Sequence, residues 1–86
     1  MELSDWRGRI DTLNLRMLEL LNERAACAQA IAELKKKMML PIYDPQREKQ
    51  VFDAVLSRNQ GPLSDEAIRR IFECIIAEHR RLEEST

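Results

Sequence analysis

Aromatic residues make up only 5% of this chain, and it has one histidine, two cysteines and two glycines. A lone histidine with Cys27 and Cys74 far apart matches no zinc-ligand spacing, so neither a structural nor a catalytic metal is expected. The two cysteines fall on apolar helical faces and read as small core residues rather than a disulfide. With so few glycines there is no phosphate-cradling loop, and no nucleophile stands beside a base. No stretch reaches 18 apolar residues, and "MELSDWRGR" at the start lacks the hydrophobic segment of a secretion signal. Charge of one sign is missing too: 14 basic and 15 acidic side chains leave a net −1. A nucleic-acid binder normally has a basic excess, and "KKK" at 35–37 is too short a run to supply one. These absences point to a soluble, cytoplasmic protein with no cofactor and no membrane or nucleic-acid partner.

What is present is helix. The 86 residues suit a single domain, 1–86, of three helices at about 5–38, 45–59 and 65–84. The first is expected to start at a Ser4 or Asp5 cap and to end where Pro41 restricts the residue before it. Asp44 caps the second, with Pro45 at its first position, and "NQGP" stops it. Ser64 caps the third, with Asp65 and Glu66 in its first turn. No strand, repeat or low-complexity segment appears.

The first helix is too long for a compact chain. About 33 residues at roughly 1.5 Å each make a rod near 50 Å, whereas a globule of this length is only about 30 Å across. Its apolar stripe runs Trp6, Ile10, Leu13, Met17, Leu20, Arg24, Cys27, Ile31 and Leu34. Two shorter helices cannot cover all of it, and an uncovered seam of this length is an association site. The expected fold is therefore all-α, three helices per chain with a long first helix, in an intertwined homodimer.

Arg24 interrupts that stripe. It either fixes the register of the pairing helices, at a cost in stability, or points into a cavity and holds an anion. Lys35 lies eleven residues on, about 20° around the axis and about 16 Å along it, so two long cationic side chains can lean toward one ligand. Arg7 is about 42 Å from Lys35 along the rod. It is either a solvated charge or, in an antiparallel dimer, a group delivered to the neighbour's site. Asp44, Arg47 and Glu48 crowd the start of the second helix, where free N–H groups attract anions or hydroxyl oxygens; capping and surface ion pairs account for them equally well. His79 and Glu83 stand four apart on the face of Phe72, Ile75 and Ile76, although a glutamate so near the end is commonly a solvated charge. This mostly cationic set suits a small polyanion and a reaction that needs orientation and charge stabilisation rather than covalent attack.

The order of these residues is distinctive. "RGRIDTLNLRMLELLNER" leads to Arg24, "IAELKK" holds Lys35, "LPIYDPQRE" holds Asp44, Arg47 and Glu48, and "IFECIIAEHRRLE" ends at Glu83. From about Arg7 to Glu83 the chain resembles the all-helical chorismate mutases, small intertwined dimers of aromatic amino-acid biosynthesis. The resemblance implies a unimolecular [3,3] rearrangement of chorismate to prephenate. It makes Arg24 the grip on one substrate carboxylate and Arg7, donated by the neighbouring subunit, the grip on the other. Lys35 would meet a carboxylate and the ether oxygen, Glu48 the ring hydroxyl with backbone at Asp44 helping, and Arg47 would order that wall. His79 takes the place of a small polar residue. Glu83 stands where many bacterial members have a glutamine that donates to the ether oxygen, and a glutamate donates only when protonated.

Two rivals share these features. One is an isochorismate pyruvate lyase on the same scaffold; the other is a non-catalytic dimeric helical module in which Arg24 sets register. Such domains also occur fused to, or associated with, another shikimate-pathway enzyme.

Overall fold

The computed structural model describes the whole chain, Met1–Thr86. It contains three helices and no strand: α1 (Leu3–Lys37), α2 (Pro45–Ser57) and α3 (Asp65–Glu84). α1 begins earlier than its sequence suggests, because the Glu2 backbone N–H donates to the Asp5 carboxylate at 2.9 Å. Asp5 thus serves as the far half of a capping box rather than as the cap. At the other end the Leu40 N–H reaches the Lys35 carbonyl (2.8 Å) and the Met39 N–H the Lys36 carbonyl (3.3 Å). This is the Schellman arrangement, and Met39 takes the left-handed φ of 57° that the arrangement requires.

α2 starts as read, with the Asp44 carboxylate accepting from the Arg47 N–H at 3.1 Å, but it ends at Ser57 rather than Asn59. The stop comes before Gly61 because Asn59 organises the next loop. Its amide nitrogen donates to the Leu63 carbonyl (2.9 Å) and the Asp65 carboxylate (2.8 Å), and its oxygen accepts from the Gly61 N–H (3.1 Å). Gly61, at φ +77°, supplies the turn. Ser64 then caps α3 through the Ala67 N–H at 3.1 Å.

α3 is the keystone, packing against both other helices, which do not pack on each other. It runs in the same sense as α1, with His79 beside Arg24 and Thr86 beside Lys36. It runs antiparallel to α2, with Arg80 beside Glu48 and Arg69 over the Phe52 ring. The α1–α3 seam is built on Ala28 and Ala32, one turn apart and the most buried residues of α1, against Ile76. Their small side chains let the two helix axes approach closely.

This seam covers little else. Only four of the 86 residues are buried, namely Ala28, Ala32, Ile76 and His79. The leucine stripe of α1 stays open, with Trp6 50%, Ile10 55%, Leu13 52% and Met17 53% exposed. Cys27 and Cys74 are free, and both are exposed in the single chain. The radius of gyration is 15.9 Å and the long dimension 55 Å, against roughly 12 Å for a compact globule of this length. A 35-residue α1 projects past α3, which packs on its C-terminal half.

Candidate active site

Where α1, α2 and α3 converge they enclose a cleft of about 250 Å³, close to the lower end of the roughly 300–1,000 Å³ usual for small-ligand pockets. α1 presents Arg24 and Lys35 to it, along with Cys27, Ala28 and Ile31. The start of α2 and the segment before it add Ile42, Asp44, Arg47, Glu48 and Val51. α3 closes it with Ile76, His79, Arg80 and Glu83. Seven of the eight candidate residues, from Arg24 to Glu83, therefore line one cavity. Arg7 does not; it is exposed on the uncovered half of α1.

The electrostatics are lopsided in a useful way. Arg24 and Lys35 are both half-buried, yet neither forms an ion pair with a carboxylate of the chain. Each is instead held by one neutral acceptor. The Lys35 ammonium donates to the Ile42 carbonyl at 3.0 Å, which leaves two of its three N–H groups for a ligand. The Arg24 guanidinium lies 2.6 Å from His79 Nδ1. Arginine can only donate, so Nδ1 must be the acceptor and His79 a neutral imidazole. Burial, reinforced by the Arg24 charge, holds the His79 pKa below its ordinary 6.5. His79 thus does more than fill a polar position, because it aims the arginine that interrupts the α1 stripe.

The carboxylates are held differently. Asp44 spends one oxygen on its cap, and Glu48 pairs with Arg80 at 2.7 Å. Arg47 keeps an exposed guanidinium at the rim, 3.4 Å from the Gln50 side-chain oxygen. Glu83, four residues from His79, has its pKa raised from the ordinary value by burial. Lys35 and Arg24 pull against that shift, while Glu48 and Glu84 add to it. The upshot is a pair of cations without counter-ions, facing a glutamate whose pKa is raised. Such a set binds a compact polyanion and offers donors to an oxygen that gains charge. No cluster of histidine, cysteine and carboxylates suits a metal.

Arg80 and the Ile42 carbonyl escaped the sequence reading. Arg80 sits in "EHRRLEE", a run that looks like a solvated face, and its partner lies 32 residues away. Backbone acceptors leave no compositional trace.

Comparison with known proteins identifies relatives along nearly the whole chain. Residues 6–84 match the family model "Chorismate mutase type II". A bifunctional chorismate mutase/prephenate dehydratase of Aquifex aeolicus is 40% identical over 80 residues, 88% of this chain and 22% of that protein. The chain thus spans under a quarter of the length of that two-function relative. A chorismate mutase structure (form II) from Thermus thermophilus superposes with a TM-score of 0.94 at 36% identity, covering 95% of this chain and 93% of that one. The Helicobacter pylori chorismate mutase in complex with prephenate gives a TM-score of 0.88 at 28% identity, over 96% and 90%. With the long helix, the three-helix cleft and a match across nearly its whole length, the chain belongs to the chorismate mutase type II family.

Proposed function

We propose that the cleft rearranges chorismate to prephenate, and that it does so as a homodimer completed by Arg7 of the partner subunit. The observation that carries this reading is the pair of half-buried cations without counter-ions, Arg24 and Lys35, sharing one small cavity. Chorismate is a dicarboxylate with a ring hydroxyl and an ether oxygen. Arg24, fixed by His79, grips one carboxylate, and Lys35 spans a carboxylate and the ether. Glu48 accepts from the ring hydroxyl beside the Asp44 backbone, and Arg47 closes the rim. Binding the folded conformer brings the enolpyruvyl carbon over the ring, so the reaction is mainly one of orientation. As the C–O bond breaks, negative charge grows on the ether oxygen, where Lys35 and protonated Glu83 donate.

The second carboxylate needs a further cation. Arg7 lies about 42 Å along α1 from Lys35 and cannot serve its own chain's cleft. Antiparallel pairing of two rods returns the N-terminal half of one alongside the cleft of the other. It also covers Trp6, Ile10, Leu13 and Met17, whose exposure in the single chain supports such a partner. An absorbance assay with chorismate, with isochorismate as control, tests the reaction. Mixing two inactive variants, Arg7→Ala and Arg24→Ala, tests the shared site. Random exchange makes half the dimers mixed, each with one intact and one doubly broken site, so activity should return to about a quarter of wild type. No recovery after complete exchange would mean that Arg7 acts within its own chain or not at all.

Glu83 gives the reaction a pH dependence. Its pKa is raised in the folded chain, and a bound dianion raises it further. Turnover should fall as pH climbs through the bound-state pKa, because the ionised carboxylate no longer donates and repels the growing charge. The folded state also binds this proton more tightly than the unfolded chain, so Glu83's stability contribution is present at low pH and lost as pH rises through the folded pKa. Glu83→Gln should flatten both dependences. A pH–rate profile unchanged in Glu83→Gln would remove Glu83 from the mechanism.

A further inference from the structure

The chain has four ion pairs, and three of them are ordinary. Lys49–Asp53, Arg70–Glu66 and Arg81–Glu78 are exposed pairs within one helix at three- or four-residue spacing, worth little in water. The fourth joins two helices. Arg80 on α3 meets Glu48 on α2 at 2.7 Å, with the side chains only 34% and 25% exposed. The Arg80 guanidinium also lies over the Tyr43 ring, 4.9 Å from its centre. Both residues of the pair line the cleft, and the function proposed above uses only Glu48.

We infer that Arg80 is a positioning residue for Glu48, holding its carboxylate to receive the substrate's ring hydroxyl; this rests on the cleft being the chorismate site. Glu48 shares its cavity with Lys35 and Arg24, two cations without carboxylate partners. A glutamate free to rotate there would swing onto one of them and cancel the charge that the substrate must meet. Arg80 supplies a counter-charge from α3. It engages only Oε2, and Oε1 has no partner in the chain, so one acceptor stays open. The Tyr43 ring, next to the Asp44 cap, limits the tilt of the guanidinium and ties this wall to the start of α2. Lysine cannot reproduce that geometry, since it lacks a flat group that stacks and donates at once.

The test uses chorismate and an analogue with hydrogen in place of the ring hydroxyl. kcat and KM are measured for wild type, Arg80→Met, Arg80→Lys, Glu48→Gln and the Arg80→Met/Glu48→Gln double variant, with thermal melts to check folding. Arg80→Met should lower kcat/KM on chorismate by about 10–100-fold, the worth of one charge-assisted hydrogen bond. On the analogue the loss should be smaller, because a cation is still partly cancelled but no hydroxyl contact is lost. The double variant should lose no more than Glu48→Gln alone, and Arg80→Lys should recover part of the loss. Arg80→Lys carries the same comparison if Arg80→Met does not fold. An equal loss on both substrates, or additive losses in the double variant, overturns the inference while leaving the activity standing. A wild-type protein that leaves chorismate unchanged removes the functional assignment, and this inference with it.

Discussion

Lys35→Ala is expected to lower kcat by about 10²–10³-fold, the usual cost of removing one preorganised donor from a developing oxyanion. The effect belongs in kcat because the ether oxygen carries little charge in bound chorismate and most of its charge at bond breaking, so the ammonium is worth more there. KM should rise less, since Arg24 still holds a carboxylate. The bond from Lys35 to the Ile42 carbonyl adds to the effect: the ammonium is anchored before substrate arrives, so little reorganisation accompanies the reaction. Steady-state kinetics decide the matter. A variant with unchanged kcat and only a weakened KM would make Lys35 a binding group.

Arg24→Leu separates function from stability. Losing the grip on a carboxylate in a shielded cleft should cost roughly 3–5 kcal/mol of binding, about 10²–10³-fold or more in kcat/KM. Stability should behave otherwise. Leucine relieves the desolvation of a half-buried charge but strands His79 Nδ1, which loses its 2.6 Å donor. An unmade bond at a buried polar atom costs about 1–3 kcal/mol, so the single variant should melt close to wild type. Replacing both members, Arg24→Leu with His79→Phe, removes the stranded acceptor and should raise Tm above both wild type and Arg24→Leu. A double variant less stable than Arg24→Leu would show that the pair contributes to the fold as well as to the substrate.

The contrast between Arg24 and Arg80 shows what a sequence can disclose. Arg24 stood out because it broke a periodic apolar stripe, and a broken period is visible in one dimension. Arg80 broke nothing. Its importance depends on α2 and α3 lying antiparallel, so that residue 48 meets residue 80, and no local pattern encodes that pairing. Helix limits divide the same way. α3 runs over 65–84 as expected, since Ser64 acts through a hydroxyl three residues from its target. α2 stops two residues early because the Asn59 side chain commands a loop whose geometry depends on the next helix. The charges of the cleft were legible as residue types at spacings. Which of them are paired and which are free emerged only from packing.

Burial of just four side chains has a thermodynamic corollary. So little interior does little to offset the conformational entropy of ordering 86 residues, and in the proposed homodimer the remaining free energy comes from association. Folding and assembly then become one mass-action equilibrium, and the melting point climbs with protein concentration. Dilution would erode helix content and catalysis together, with no stage at which intact single chains persist.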